Sequence, residues 1–182
     1  MKIKVLLANG FEETEAITVI DILRRAGYDL KTVSIHSDNT VESAHGIKVI
    51  ADEKLTEADF SQTELLFLPG GVPGVPNLAD NEKVIKIVQD FHEQKKYLTA
   101  ICAAPFVLDQ AGVINDKNYT CYPSWRDKIK AKNHSKSKVV VDDHLITSQG
   151  VGTAILFGLK IVEILSGQKK SEELAKAILF NG

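Results

Sequence analysis

Short apolar runs alternate along this chain with segments in which apolar side chains recur every three or four positions. The short runs predict β-strands at residues 5–8, 30–35, 65–68, 97–101, 139–141 and 145–147. The helical spacing predicts helices at residues 12–26, 84–91, 154–167 and 171–180. Strands that alternate with helices are typical of a parallel sheet with helices on both faces. The pattern therefore predicts an α/β fold.

Three segments are less regular. Residues 41–50 contain two short extended pieces around a histidine and a glycine, which predicts a hairpin. Residues 119–122 fit a strand, and residues 125–129 fit a short helical turn. The final helix is expected to begin at Ser171, which suits an N-terminal cap.

The strand at residues 97–101 ends at Cys102, where small residues and Pro105 open a further helical pattern. Pro105 suits a first helical turn because its missing N–H costs nothing there. Cys102 is therefore predicted to lie on a strand-to-helix bend, the geometry of a nucleophile elbow. A thiol at a helix N-terminus meets unpaired N–H groups, which favour the thiolate. The alternative is a buried cysteine that packs as a small hydrophobe, the role expected of Cys121.

The composition is that of an ordinary globular protein and suits a single domain over residues 1–182. A net charge of -2 gives no reason to expect nucleic acid or an anionic membrane as a partner, and the lysine-rich run at residues 128–138 is interpreted as a solvated face. Two cysteines are too few for a disulfide framework. The N-terminus is too short and too interrupted for a signal peptide, and Lys160 and Glu163 interrupt the most apolar helix. We therefore expect a cytoplasmic protein with reduced thiols.

The sequence carries no cofactor motif. The five histidines are scattered, without the spacing of a metal site. The pair Gly150 and Gly152 lacks the third glycine of a dinucleotide fingerprint, and no phosphate-binding P-loop occurs. We therefore expect neither a metal nor an organic cofactor.

Segments with unusual chemistry follow three of the predicted strands. They are the glutamate-rich helix start at residues 12–15, the glycines Gly70 and Gly71, and Cys102. In parallel sheets, ligands bind beyond the carboxyl ends of the strands, at a switch in strand order. The three segments are therefore expected to meet at one edge of the sheet and to form a single site.

Glu15 lies beside the apolar face of its helix and is expected to point inward. An ionised carboxylate repels a thiolate, whereas a protonated carboxyl can donate a hydrogen bond to sulfur. We therefore expect a protonated Glu15 to stabilise the Cys102 thiolate and then to move protons. The backbone N–H groups of Gly70, Gly71 and Ala103 are expected to form an anion pocket. The alternatives are that the glutamates complement the helix dipole and that the glycines only make a turn.

Four motifs stand at the ends of predicted strands: NGFEETE at residues 9–15, LPGG at 68–71, AICAAP at 100–105 and TSQGVGT at 147–153. Together they resemble the ThiJ/PfpI superfamily, and within it the Parkinson-associated protein deglycase branch and its bacterial relatives. The resemblance covers nearly the whole chain. It implies a flavodoxin-like three-layer sandwich and a homodimer, with Cys102 as the nucleophile and Glu15 as its partner. It also implies that Gly71 and Ala103 line the anion pocket.

Two further positions follow from this resemblance. His45 falls near a position that lies by the dimer interface and the pocket in relatives. Relatives often carry a histidine where this chain has Tyr122, and a tyrosine is a poor general base at neutral pH. We therefore expect Glu15 to carry most of the proton transfer. Peptidase activity is not expected, because the protease-like branch has a histidine where this chain has Ala103, directly after the cysteine.

Two functions fit these residues. As an enzyme of the glyoxalase III or deglycase type, Cys102 would attack a small reactive carbonyl compound, such as a 2-oxoaldehyde or its adduct. Glu15 would move the protons, and no cofactor would be needed. As an oxidative-stress sensor or chaperone, the protein would use oxidation of Cys102 to a sulfinic acid as a signal, without turnover.

Overall fold

The computed structural model of the chain describes residues 1–181. The strands are β1 (Lys2–Leu7), β2 (Asp29–Ser34), β3 (Thr40–Glu42), β4 (Lys48–Ile50), β5 (Glu53–Lys54), β6 (Leu65–Leu68), β7 (Tyr97–Ile101), β8 (Val139–Asp142) and β9 (Leu145–Ser148). The α-helices are α1 (Glu13–Arg25), α2 (Gly74–Ala79), α3 (Glu82–Glu93), α4 (Pro105–Gln110), α5 (Ala154–Ser166) and α6 (Gln168–Ala177). Two 3₁₀ helices add to them, Pro123–Lys128 and Val151–Thr153.

The strand order of the central sheet is β5-β2-β1-β6-β7-β9-β8, and β3 and β4 form a separate antiparallel hairpin. In the central sheet only β8 runs antiparallel to its neighbour. The chain moves from β1 outward to β2 and β5, and then returns to the other side of β1 with β6. The strand order therefore switches between β1 and β6. This is the α/β fold with a mostly parallel sheet that the sequence predicts, and its arrangement is consistent with a flavodoxin-like fold.

Helices cover both faces of the sheet. Along β1, Val5 faces a core that includes side chains of α1 and α5, whereas Leu6 faces a core that includes side chains of α3 and α4. Alternate residues of a strand point to opposite faces, so a run that is apolar at every position is buried on both sides. This is why β1 and β6 appear in the sequence as continuous apolar runs. The carboxyl ends of β1, β6 and β7 consequently lie side by side between two layers of helices.

Residues 119–122 do not form the predicted strand. Tyr119 makes one isolated bridge with His134, and the next N–H group, that of Thr120, donates to the side-chain hydroxyl of Thr147 at 2.9 Å. A side-chain hydroxyl of β9 thus accepts the hydrogen bond that the backbone of a neighbouring strand would otherwise accept. Residues 119–121 are buried like those of a strand, but the segment lies beside the sheet without joining it.

The last helix, α6, begins three residues before its predicted start at Ser171. Gly167, with φ +86°, ends α5 as predicted, but α6 begins directly at Gln168. Ser171 is therefore not the cap of that helix; its hydroxyl donates to the carbonyl of Leu159 at 2.8 Å and so joins α6 to α5. Among residues 1–181, no helix has the length and apolar character needed to cross a membrane.

Candidate functional site

Cys102 follows β7 at a backbone position that is rare for a residue with a side chain. Its φ is +63°, in the left-handed region, which costs about 1–3 kcal/mol unless the surroundings enforce it. Its N–H donates to the carbonyl of Ser148 at 2.9 Å, and its carbonyl accepts from the N–H of Tyr122 at 2.8 Å. Both bonds hold the bend from outside the strand. The result is the predicted elbow, which presents a partly exposed sulfur above the sheet.

Glu15 lies in the first turn of α1 and is fully buried. Its Oε2 accepts the N–H of Gly70 at 3.0 Å, and its carboxyl lies beside the Cys102 thiol, close enough for each group to shift the pKa of the other. Its Oε1 has no nitrogen or oxygen partner within residues 1–181. Glu12 precedes the helix, and its carboxylate accepts the N–H of Glu15 at 2.6 Å. The glutamates therefore have different tasks: Glu12 caps α1, and Glu15 enters the site.

Burial raises the pKa of Glu15 to about 7, and the charge of Glu12 acts in the same direction. Burial and the Glu15 carboxylate also raise the pKa of the Cys102 thiol, whereas the backbone N–H groups of Ala103 and Gly71 act to lower it. The helix α4 begins at Pro105, and the backbone N–H groups that act on the sulfur belong to Ala103 and Gly71. The two side chains titrate as one coupled pair.

The glycines of the β6 loop allow the backbone to approach this pair. A Cβ on Gly70 would lie 2.6 Å from the Cys102 Cβ and would collide with the Glu15 carboxyl. Gly71 has φ +104°, and a Cβ there would collide with the backbone just before α1. The N–H of Gly70, expected in the anion pocket, is instead bound to Glu15. Of the three predicted amides, those of Gly71 and Ala103 act to lower the pKa of the Cys102 thiol.

A cleft of about 520 Å³ opens above Cys102 and Glu15. The segment after β9 forms much of its wall, and Tyr122 and His45 stand on its rim with 47% and 72% of their areas exposed. Its lining residues are Glu12, Glu15, His45, Cys102, Tyr122, Pro123, Gln149, Gly150, Val151, Gly152 and Thr153. Residues 149–153, which form part of the wall, are not among the site residues predicted from the sequence. The signal for them was present, because the TSQGVGT motif follows β9 at the same edge of the sheet.

His45 and Glu13 form a second pair of side chains on this rim. The Nδ1 of His45 lies 2.8 Å from the Oε1 of Glu13. Together with Glu12 they could offer one metal-ligand atom each within 4.8 Å of one another, but exposed acidic groups commonly cluster in this way without an ion. We assign no metal to them.

Cys121 has none of the features of Cys102. It is almost completely buried, and burial raises the pKa of its thiol to about 11, although the charge of Arg126 opposes the shift. A thiol in such surroundings is neutral at physiological pH and packs as a small apolar group.

The model of the DJ-1/PfpI family matches residues 1–164 of this chain. The chain belongs to the DJ-1/PfpI family. It is 36% identical over 179 residues to Protein DJ-1 homolog B of Arabidopsis thaliana, which covers 98% of this chain but only 41% of that protein. It is 32% identical over 169 residues to the glutathione-independent glyoxalase DJR-1.2 of Caenorhabditis elegans, covering 92% of this chain and 89% of that protein.

Solved structures of the DJ-1/PfpI family share the whole fold. The oxidized form of DJ-1 from Toxoplasma gondii superposes with a TM-score of 0.95 at 30% identity, covering 100% of this chain and 99% of that one. The family fold thus extends over all of the elements that position Cys102 and Glu15.

Proposed function

We propose that the protein is a cofactor-independent thiol enzyme that acts on 2-oxoaldehydes or their adducts, as glyoxalases of the III type and deglycases do. The observation that carries this proposal is the contact between a buried carboxyl and a sulfur on a strained bend, at the base of an open cleft. A perturbed carboxyl beside a nucleophile in a cleft is typical of an active site. The name of the glyoxalase relative from Caenorhabditis elegans points to the same chemistry.

The reaction begins with one proton shared between Glu15 and Cys102. When the proton is on Glu15, the carboxyl no longer repels the sulfur and can donate a hydrogen bond to it. The N–H groups of Gly71 and Ala103 stabilise the negative charge on the sulfur. The thiolate then adds to the aldehyde carbon, and the proton of Glu15 passes to the aldehyde oxygen. The product is a hemithioacetal beside an ionised Glu15.

The adduct then isomerises, with Glu15 as the base that removes the hydrogen on the former aldehyde carbon. Returning that proton to the neighbouring carbon gives a thioester, and water hydrolyses the thioester to a 2-hydroxy acid. Oxidation of one carbon balances reduction of its neighbour, so the sequence of steps requires no external oxidant or reductant. This accounts for a site without a cofactor motif.

Lactate formation from methylglyoxal tests the proposal. We expect Cys102→Ser to reduce kcat at least 100-fold, because an alcohol is a much weaker nucleophile than a thiolate. The matched control is Cys121→Ser, which changes the other cysteine and should retain turnover per folded molecule. Equal rates for wild type and Cys102→Ser would rule out the mechanism.

A second candidate function, a sensor of oxidative stress or a chaperone without turnover, has its own support. The N–H groups that surround the Cys102 sulfur would also stabilise a sulfinate. Mass spectrometry after mild peroxide treatment tests it, with Cys121 as the internal control. Addition of two oxygens at Cys102 alone would support sensing, whereas oxidation of both cysteines or of neither would count against it.

We also propose that the protein forms a homodimer and that it is located in the cytoplasm. Exposed apolar side chains, including Ile17 of α1, Ile155 of α5 and Leu179, line an open groove of about 500 Å³ that a second copy would cover. Both cysteines are free, as a reducing compartment requires. Light scattering should give the mass of two chains for wild type and of one chain for Ile17→Glu.

A further inference from the structure

The β3–β4 hairpin brings a histidine to the rim of the Cys102 cleft. The hairpin is bonded to the segment that precedes α1, where the N–H of Ala44 donates to the carbonyl of Phe11 at 2.8 Å. His45 is the next residue, so this hydrogen bond fixes the His45 backbone close to the start of α1. The cleft that His45 lines is the one that holds Cys102 and Glu15.

Glu13 orients the imidazole ring of His45. The Nδ1 of His45 and the Oε1 of Glu13 are 2.8 Å apart, and 12% of the Glu13 side chain is exposed against 72% of His45. Burial opposes ionisation of Glu13, but hydrogen bonds from its own backbone, from Ser43 and from His45 lower its pKa overall. An ionised carboxylate only accepts, so the proton of this bond is on Nδ1.

The other ring nitrogen, Nε2, belongs to a residue that lines the cleft and is not engaged by Glu13. It has no hydrogen-bond partner in the described part of the chain. A carboxylate that fixes one nitrogen of a histidine and leaves the other to a substrate is a recurrent arrangement for proton transfer. The charged and titratable groups near the ring are Glu12, which caps α1, and Glu13 of α1, with Glu15 and Cys102 in the same cleft.

We propose that His45 is the second proton-transfer residue of the cleft, acting on the ketone oxygen of a bound 2-oxoaldehyde, and that Glu13 is its positioning residue. This rests on the proposed enzyme function. Isomerisation of the hemithioacetal needs proton transfer at two oxygens as well as at two carbons, and a single carboxyl has only one proton to give.

The steps balance when the two residues act together. Glu15 takes the hydrogen of the former aldehyde carbon as a proton while the Nε2–H of the His45 imidazolium protonates the ketone oxygen, which gives an enediol. Glu15 then returns its proton to the former ketone carbon, and Nε2 takes the proton from the hydroxyl on the sulfur-bearing carbon. The thioester forms, and both side chains regain their starting states. The substrate class is therefore one with two adjacent carbonyl groups.

The test uses His45→Ala with methylglyoxal as substrate and EDTA present, so that no metal contributes. We expect kcat to fall about 100-fold, with KM and the rate of Cys102 alkylation by iodoacetamide unchanged. Because most of the His45 side chain is exposed, added imidazole should enter its place and restore much of the rate. Glu13→Gln should lower kcat about 10-fold, since it loosens the ring without removing it.

The control is Lys48→Ala, which removes an exposed side chain of the same hairpin that does not line the cleft. It should retain wild-type kcat and show no response to imidazole. Wild-type kcat in His45→Ala, or a loss that imidazole does not restore, would overturn the proposal. Absence of any Cys102-dependent turnover in the wild type is a separate result that would reject the proposed function itself, and this inference with it.

Discussion

Each end of the sheet has a pair of ionisable side chains, of which one is buried and the other partly buried. At the carboxyl ends of the strands, Glu15 contacts Cys102. At the amino ends of β7 and β9, His144 contacts His92, with the Nε2 of the first 3.0 Å from the Nδ1 of the second. Both pairs join elements that are far apart in the chain. They differ in how completely their polar atoms are satisfied.

Every buried ring nitrogen of the histidine pair has a hydrogen-bond partner among residues 1–181. The Nδ1 of His144 lies 3.1 Å from the Oδ2 of Asp143, and its backbone carbonyl accepts the N–H of Leu98 at 2.9 Å. With neutral rings, each nitrogen between the two histidines and the aspartate is matched as donor or acceptor. Burial lowers the pKa of His92, and the charge of Lys117 acts in the same direction, which favours the neutral ring. The contact between the two histidines at this end of the sheet connects α3 to the turn between β8 and β9.

The carboxyl end lacks that completeness. One oxygen of Glu15 has no nitrogen or oxygen partner within residues 1–181, and Cys102 occupies a strained backbone conformation. A cleft leads to this pair, whereas the ring of His144 is enclosed. Buried ionisable groups thus serve stability where their bonding is complete. They become candidates for chemistry where bonding is incomplete and solvent has access.

The largest expected effect comes from Gly70→Ala, which closes the space between the two groups of the site. The new Cβ would lie 2.6 Å from the Cys102 Cβ and would collide with the Glu15 carboxyl, so one of the two must move. We expect methylglyoxal turnover to fall more than 100-fold, with a loss of about 3 kcal/mol in the free energy of unfolding. Steady-state kinetics and urea unfolding measure the two effects.

Gly27→Ala is the control for this variant. Gly27 has φ +83° after α1, and a Cβ there would meet nothing within 4 Å. It should lose about 1 kcal/mol from backbone strain and keep full turnover. If Gly70→Ala behaves like Gly27→Ala, the close approach at the site has no importance for activity.

The next effect is a pH dependence of stability that belongs to Glu15. Its pKa is about 7 in the folded protein against an ordinary value of 4.5, because burial penalises the charged form. The folded state therefore binds more protons than the unfolded state between these values, and stability falls as pH rises from 4.5 through 7. The full loss is about 3 kcal/mol, taking 1.36 kcal/mol per pKa unit.

Urea unfolding of the reduced protein across this pH range, compared with Glu15→Gln, measures the effect. The variant should be the more stable protein above neutral pH and should show a flatter pH profile. Glu173→Gln, at an exposed position of α6, should retain the wild-type slope. Parallel profiles for wild type and Glu15→Gln would show that the carboxyl titrates normally in the folded state.

Much of the fold and part of the site could be predicted from the sequence, because both depend on local pattern. Apolar runs and helical spacing identify β1, β6 and β7, and parallel strands place whatever follows them at one edge. Glu15, Gly71 and Cys102 lie together at that edge, as the strand pattern predicts. The N–H of Gly70 does not join the predicted anion pocket and instead binds Glu15. Which acceptor an amide chooses depends on ångström-scale positions that no spacing rule contains.

Contacts between distant residues were the other limit. His92 and His144 are separated by 52 positions, and nothing in the periodicity of α3 or the β8–β9 turn indicates that they meet. Residues 119–122 have the composition of a strand, but a hydroxyl of β9 replaces the ladder that would make them one. Local propensity cannot foresee such a competition, since tertiary contacts decide it.

The smallest effect is expected at the other end of the sheet, for His92→Ala. Removing this ring leaves the Nε2 of His144 without its partner, which should cost about 1 kcal/mol near pH 8. Because burial lowers the pKa of His92, the folded state binds fewer protons than the unfolded state, and wild-type stability falls as pH drops below about 6.5. The difference in the free energy of unfolding between wild type and His92→Ala should therefore shrink in acid, as urea unfolding would measure.

The turnover of His92→Ala should stay within about twofold of wild type. The same is expected of Lys83→Ala, which changes an exposed residue of the same helix. A tenfold loss of turnover in His92→Ala alone would show that the two ends of the sheet are coupled, and the division between a stabilising pair and a reactive pair would fail.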